Sequence, residues 1–258
     1  MHQVTTIVPA YNESGRIGNV LAVLAGVSEL ADILVIDDGS TDATLDEVRR
    51  AAAADRRIRI LQMPTNSGKG QAVLAAAALT QTRFVLMLDA DLMNLQQHHV
   101  LELISPLTSD KADMTLGLFR GGHWGTDFSH LATPWLTGQR CMRAELLRYL
   151  TAETASGYGL EIALTVAAQL HDYRVKRVVL RGVWHPTSEY HRGLSIAFRW
   201  RRRMLGEVWE AWNATGGPAA LKIHISRSLT RSWRGPLGAW PAARKRLTRL
   251  KDRLRESS

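Results

Sequence analysis

The first half of the chain alternates short apolar runs with longer amphipathic ones. Val4–Pro9 is a short β-rich run. After it, Ile17, Val20, Leu21 and Leu24 recur at helical spacing, with Ser14 placed to cap the helix. Ile33–Asp37 is a continuous apolar strand that ends in acids, and Thr41–Ala54 reads as a helix with Asp42 near its start. Ile58–Met63 forms a third strand, Gly70–Thr80 an alanine-rich third helix, and Phe84–Leu88 a fourth strand, again ending in acids. Such alternation predicts a mostly parallel sheet with helices on both faces. Ligands of such sheets bind at the carboxyl ends of the strands. Polar residues cluster there: Tyr11-Asn12-Glu13, Asp37-Asp38, Asn66 to Gly70, and Asp89 to Asp91.

The second half is less regular. Met114–Phe119 and Lys176–Leu180 predict strands, Gly159–Leu170 a helix, and Gly121 to Gly125 a loop. The composition changes from Gly193 onward. Arg199–Trp212 reads as a tryptophan- and arginine-rich helix, Gly216-Gly217-Pro218 breaks it, and Leu237 to Arg255 is basic. The expected division is a catalytic domain over 1–194 and a basic helical region over 195–258.

Composition and charge sharpen this division. The chain has 258 residues with 45% apolar content, enough for one sizeable core. A single cysteine, Cys141, rules out an intramolecular disulfide and fits a reducing compartment. The N-terminus carries no signal-peptide pattern, and no window holds about 18 uninterrupted apolar residues. A cytoplasmic location is the expectation. The net charge is +9, yet residues 1–194 hold 18 Lys+Arg against 20 Asp+Glu, a balance of −2, and residues 195–258 hold 15 against 4, a balance of +11. The tail therefore carries the basicity. Trp200, Trp209 and Trp212 interleave there with Arg199, Arg201, Arg202 and Arg203. One reading is an amphipathic helix lying on an anionic membrane face; the other is a helix packed on the catalytic domain with its arginines solvated. No nucleic-acid-binding module accompanies the charge. The oligomeric state stays open, a homodimer included.

Three constellations carry chemistry. Asp89-Ala90-Asp91 places two carboxylates one residue apart at a strand end, a donor set for a hard divalent cation on a diphosphate; in isolation a D-x-D is more often a solvated acidic turn. In Asp37-Asp38-Gly39-Ser40-Thr41-Asp42 one acid can accept hydrogen bonds from a base or ribose, while Ser40 or Asp42 can cap the next helix. Asn66-Ser67-Gly68-Lys69-Gly70 precedes a helix, where glycines admit phosphate and Lys69 adds charge. It lacks the spacing of a P-loop, so an ATPase reading is poor.

Together, Val8-Pro9-Ala10-Tyr11-Asn12-Glu13, Val35 to Asp42 and Leu88-Asp89-Ala90-Asp91 resemble the GT-A glycosyltransferases, including family 2, over roughly residues 4–190. The resemblance implies an α/β, Rossmann-like fold and a nucleotide-sugar site. It places base and ribose near Pro9, Ala10, Tyr11, Glu13 and Asp37 or Asp38. It places the metal, Mg²⁺ or Mn²⁺, and the diphosphate at Asp89, Ala90 and Asp91. A narrower resemblance, to glucosyl-3-phosphoglycerate synthases and related retaining enzymes, rests on Gly68-Lys69-Gly70, Leu136 to Arg140, Gly157 to Ile162 and Gly182-Val183-Trp184-His185. It implies that Lys69, with Gly68 and Gly138, faces the donor phosphates, that His185 joins the metal, and that Glu161 lies beside the reacting sugar. It departs at the acceptor: those synthases use a Gly-Arg-x-Thr stretch, and this chain has Gly121-Gly122-His123-Trp124-Gly125-Thr126 in its place.

The residues on their own have blander readings: His185 as a structural histidine near an apolar strand, and Glu161 as a surface helical acid. The expected function is metal-dependent sugar transfer from a nucleoside-diphosphate sugar, with Asp91 and Glu161 catalytic and the narrower resemblance favouring retention. The alternatives are an inverting transferase acting on a lipid-linked acceptor and a non-catalytic nucleotide-sugar-binding protein. A nucleotidyltransferase would need a glycine-rich triphosphate loop after the first strand, and Val8-Pro9-Ala10-Tyr11-Asn12 is not one.

Overall fold

A computed structural model of the chain describes residues 4–121, 137–152, 154–155 and 159–186. The expected tryptophan-rich helix, the basic tail, the boundary at residues 194 and 195, and residues 122–126 all lie outside the described residues.

The first half follows its hydrophobic pattern. Strands β1 (Val4–Ala10), β2 (Leu30–Asp37), β3 (Ile58–Gln62) and β4 (Phe84–Met87) alternate with helices α1 (Ile17–Ala25), α2 (Thr44–Ala54) and α3 (Lys69–Ala77). Then come α4 (Gln97–Thr108), β5 (Met114–Arg120), β6 (Arg140–Arg143), a 3₁₀ turn over Ala144–Tyr149, α5 (Gly159–Leu170) and β7 (Val175–Arg181). The strands join one seven-stranded sheet in the order β3-β2-β1-β4-β6-β5-β7. β6 runs antiparallel to both of its neighbours, and every other pairing is parallel.

Alternation along each strand feeds two cores, as expected for a sheet covered on both faces. On one face Phe84, Leu86 and Leu88 pack with Ile17, Val20, Leu21 and Leu24 of α1 and with Val100, Leu103, Ile104 and Leu107 of α4. On the other face Val85 and Met87 pack with Ala72, Val73 and Ala76 of α3 and with Leu160, Ala163 and Leu164 of α5. The four apolar positions read from the α1 sequence are the four that α1 buries.

The cap on α1 differs from the expectation. Arg16 is the N-cap and offers no side-chain bond; Ser14 Oγ donates instead to Glu47 Oε1 at 2.8 Å. The N-cap of α2 is Ala43 and carries no side-chain bond; Asp42, one residue before it, accepts the Thr44 N–H at 3.0 Å, and Ser40 Oγ accepts the Asn12 N–H at 3.0 Å. Two elements escaped the sequence reading. In α4 the spacing of Val100, Leu103, Ile104 and Leu107 is the helical signal, obscured by Pro106 inside the helix. β6 has only four residues and interrupts the parallel order that the first half sets up.

Candidate active site

The sheet delivers its polar residues to one cavity of about 290 Å³, lined by Pro9, Ala10, Tyr11, Glu13, Asp38, Lys69, Asp89, Ala90, Asp91 and His185. The β1 exit is held by the β2 exit. The Glu13 N–H donates to Thr44 Oγ1 at 2.7 Å, the Ser14 N–H to Asp42 Oδ2 at 3.2 Å, and the Gly15 N–H to Glu47 Oε1 at 2.7 Å. Glu47 holds two donors of this loop and was not singled out from the sequence. Its only sequence signal is its place in the first turn of α2.

The two acids of the β2 exit are occupied locally. Asp37 is fully buried and accepts the Ser40 N–H at 3.2 Å, with its second oxygen buried and unpartnered among the described residues. Asp38 borders the cavity, and its two oxygens accept the Ser67 and Gly68 N–H groups at 2.8 and 2.7 Å. Asp38 thereby fixes the loop that ends in Lys69. Behind that loop, a Cβ added to Gly70 would stand 1.5 Å from the Ala155 carbonyl oxygen, so α3 docks at a distance that only glycine permits.

Lys69 is the electrostatic centre. Its Nζ lies 2.7 Å from Asp89 Oδ1 and 3.0 Å from Glu161 Oε1. Burial opposes the charge on Lys69, but the two carboxylates outweigh it and hold the ammonium well above its usual range. Burial likewise pushes Asp89 up, and the nearby ammonium overrules it, so the carboxyl is held below its usual range. Gly138 makes room for this pair. A Cβ there would meet Lys69 Nζ at 2.5 Å and both Asp89 oxygens at 2.8 Å. Arg140, fully buried, donates through Nη1 to the Glu161 carbonyl at 3.2 Å and through Nη2 to the Thr137 carbonyl at 2.6 Å.

Asp91 stands apart from that cluster. Desolvation, together with the negative charges of Asp89 and Glu13, raises its carboxyl to about 6, while His185 pulls in the opposite direction. A backbone bridge brings His185 to this place. The Met93 N–H donates to the Trp184 carbonyl at 2.8 Å, the Trp184 N–H donates to the Met93 carbonyl at 3.3 Å, and Asn94 Nδ2 donates to the Gly182 carbonyl at 3.3 Å. Among the described residues, no three of His, Cys, Asp and Glu close to metal-holding distance. Asp89, though it borders the cavity, is turned toward Lys69 and Gln139; Asp91 and His185 border it as well.

Of the residues selected from the sequence, Pro9, Ala10, Tyr11, Glu13, Asp38, Lys69, Asp89, Ala90, Asp91 and His185 meet around the cavity. Glu161 reaches it through Lys69, Gly138 lies beneath the Lys69–Asp89 pair, Gly68 sits on the Asp38 carboxylate, and Asp37 lies buried behind.

A mostly parallel seven-stranded α/β sheet with this order, and with acids at the exits of β1, β2 and β4, is that of the GT-A class of folds. The chain belongs to glycosyl transferase family 2, whose sequence signature matches residues 5–163. It is 28% identical over 195 residues to the glucosyl-3-phosphoglycerate synthase of Mycolicibacterium paratuberculosis, covering 63% of this chain and 59% of that one. It is 29% identical to the undecaprenyl-phosphate mannosyltransferase of Micrococcus luteus, covering 63% and 76%. A 96-residue stretch is 38% identical to the dolichyl-phosphate beta-glucosyltransferase ALG5C of Trichomonas vaginalis, covering 34% and 28%. The matched stretch thus spans 28% and 59% of the first two of these curated relatives to be aligned, the Trichomonas and M. paratuberculosis proteins. Among solved structures, the glucosyl-3-phosphoglycerate synthase of Mycobacterium tuberculosis in complex with Mn²⁺, uridine-diphosphate-glucose and phosphoglyceric acid shares the fold. The TM-score is 0.64 at 24% identity, over 84% of this chain and 81% of that one. No helix among the described residues is long and apolar enough to cross a membrane.

Proposed function

We propose that this chain transfers a sugar from a nucleoside-diphosphate sugar to an acceptor hydroxyl, with Mg²⁺ or Mn²⁺ on the diphosphate. The observation that carries the reading is Lys69, pinned between Asp89 and Glu161 at the edge of a cavity that also presents Asp91 and His185. The donor set fits a divalent ion. One carboxylate, Asp91, and the His185 imidazole suit Mn²⁺ or Mg²⁺ beside phosphate oxygens and water, and the crowding of negative charge that raises Asp91 is what a cation would relieve.

Asp91 and His185 would hold the ion, which when bound supplies positive charge to the departing nucleoside diphosphate. The chain's own residues do the rest. Lys69 adds a fixed positive charge on the phosphate side, already oriented before substrate enters, so the leaving group is stabilised without reorganisation. Tyr11, Glu13 and Asp38 border the part of the cavity between the β1 and β2 exits, and the base and ribose are assigned there. Glu161 is engaged by Lys69 and so suits orienting the sugar better than abstracting a proton. That favours retention, with the acceptor proton leaving to the departing phosphate.

The acceptor class follows less directly. The residues 121–126 lack the arginine of a Gly-Arg-x-Thr stretch, which argues against phosphoglycerate. A lipid-linked acceptor, with inversion, is the second reading. It is favoured by the +11 balance of residues 195–258 and by relatives named for dolichyl and undecaprenyl phosphates.

A thermal-shift screen of nucleotide sugars with Mn²⁺ tests the donor, since a ligand of the folded state raises apparent stability by mass action. No shift with any nucleotide sugar, or transfer that survives thorough chelation, would sink the reading. An NMR time course of the first-formed anomer separates retention from inversion.

A further inference from the structure

The lead into β6 and its first residue are polar and buried. Thr137, Gln139 and Arg140 are 2%, 1% and 0% exposed. Polar groups so buried are costly unless each finds a partner. Thr137 Oγ1 donates to the Gly117 carbonyl at 2.7 Å, and Arg140 straps the Thr137 and Glu161 carbonyls. Gln139 differs from both, because both ends of its side-chain amide go to one residue. Its Oε1 accepts the Asp89 N–H at 3.0 Å, and its Nε2 donates to Asp89 Oδ2.

Two bonds from one rigid amide fix both the position of the Asp89 backbone and the rotation of its carboxylate. With Oδ2 held by Gln139, Oδ1 is left facing Lys69 Nζ at 2.7 Å. A lone ion pair on a flexible lysine is weakly oriented in a site open to water. A carboxylate clamped from behind gives that lysine a fixed counter-charge instead.

We propose that Gln139 is a positioning residue for sugar transfer: it aims the first carboxylate of the Asp89-Ala90-Asp91 motif at Lys69, so that Lys69 is held ready for the donor phosphates. This rests on the function proposed above. A side chain that only fills the core would matter equally whatever stands at position 89. A positioning residue matters only while Asp89 is there to be aimed.

The test is a double-mutant cycle on Gln139→Met and Asp89→Asn in the full chain. The readout is the Kd for UDP-glucose and for GDP-mannose by calorimetry with saturating Mn²⁺, alongside the thermal midpoint. Gln139→Met keeps the length of the side chain and removes both hydrogen bonds. It should weaken the tighter-binding nucleotide sugar about tenfold in the wild-type background and less than about twofold in the Asp89→Asn background, the signature of coupled residues. Gln139→Glu keeps the acceptor for the Asp89 N–H but sets carboxylate against carboxylate, and should weaken binding more than Met does. Equal losses in both backgrounds, or no loss in the wild type, overturn the proposal. If Gln139→Met does not fold, Gln139→Glu carries the same comparison across backgrounds. A wild-type protein that binds neither of these nor any other nucleotide sugar overturns the function itself, and this proposal with it; wild-type binding with an uncoupled cycle overturns the proposal alone.

Discussion

Lys69 Nζ donates to Glu161 Oε1 across 3.0 Å, joining residues 92 positions apart in the chain. The bond ties the start of α3 to the first turn of α5, so the two halves of the chain meet at the site through opposite charges. Glu161→Gln keeps an acceptor for Lys69 and removes the charge. Turnover should fall by about 10²–10³, the scale of losing one preorganised electrostatic group. Lys69 retains Asp89, so the thermal midpoint should move by only a few degrees. A variant with wild-type turnover would return Glu161 to a packing role.

Gly138→Ala tests the room under the Lys69–Asp89 pair. The added Cβ would sit 2.5 Å from Lys69 Nζ and 2.8 Å from the Asp89 carboxylate, closer than such atoms approach. The pair must part or the strand must shift, at a cost of about 1–3 kcal/mol in the manner of overpacking. Donor affinity measured by calorimetry should drop along with stability measured in urea. Unaltered donor affinity would mean that the pair can move without consequence.

With Asp91 as the proposed metal ligand, metal binding should depend on pH. Its carboxyl, raised to about 6 by burial and by neighbouring carboxylates, is protonated below that pH, and only the ionised form is a ligand. Mn²⁺ affinity, followed by the EPR signal of the free ion, should therefore weaken by up to about tenfold per pH unit below 6 and level off above it. Stability without metal runs the other way. The folded protein holds this proton more tightly than the unfolded chain, so the contribution is full below pH 4 and is lost as pH rises through about 6. Mn²⁺ affinity that is flat between pH 5 and 7 would exclude Asp91 as a ligand.

The +11 balance of residues 195–258 motivates a test of membrane docking. Each basic residue near an anionic surface contributes about 1 kcal/mol, and buried tryptophan adds an apolar part that salt does not screen. Vesicle co-sedimentation should show binding to anionic but not to neutral lipid, weakened yet not abolished by salt. If anionic vesicles at low salt fail to bring the intact protein down, the membrane reading is wrong and a soluble acceptor becomes the better expectation.

The strand-and-helix alternation of the first half was legible because each element repeats one period, and the buried set Ile17, Val20, Leu21 and Leu24 was read directly from it. Local motifs also marked the cavity: Asp89, Asp91, Lys69 and Glu13 stand at strand exits, where a parallel sheet must bind its ligand. What the sequence could not carry is who pairs with whom. Asp38 borders the cavity as its motif suggested, but no spacing announced that its oxygens also hold the Ser67 and Gly68 N–H groups. Ser14 looked like a cap and bonds to Glu47. Gln139 and Arg140 form buried polar contacts over long separations, and no period or spacing announces such contacts.

The place of β6 between β4 and β5 also sets a strand from late in the chain against the edge of an early one. β1 to β4 pair with one another using only residues from Val4 to Met87, the stretch that carries Glu13, Asp38 and Lys69. β5 pairs only with β6 and β7, both later in the chain. Until Arg140–Arg143 arrives, the outer edge of β4 is bare, and a bare apolar edge invites pairing with another chain. Chains truncated before β6 should therefore aggregate through β4. The strand that seals that edge is also the one Gln139 leads into, so the bond that orients Asp89 and the cover of that edge come from one short stretch of chain.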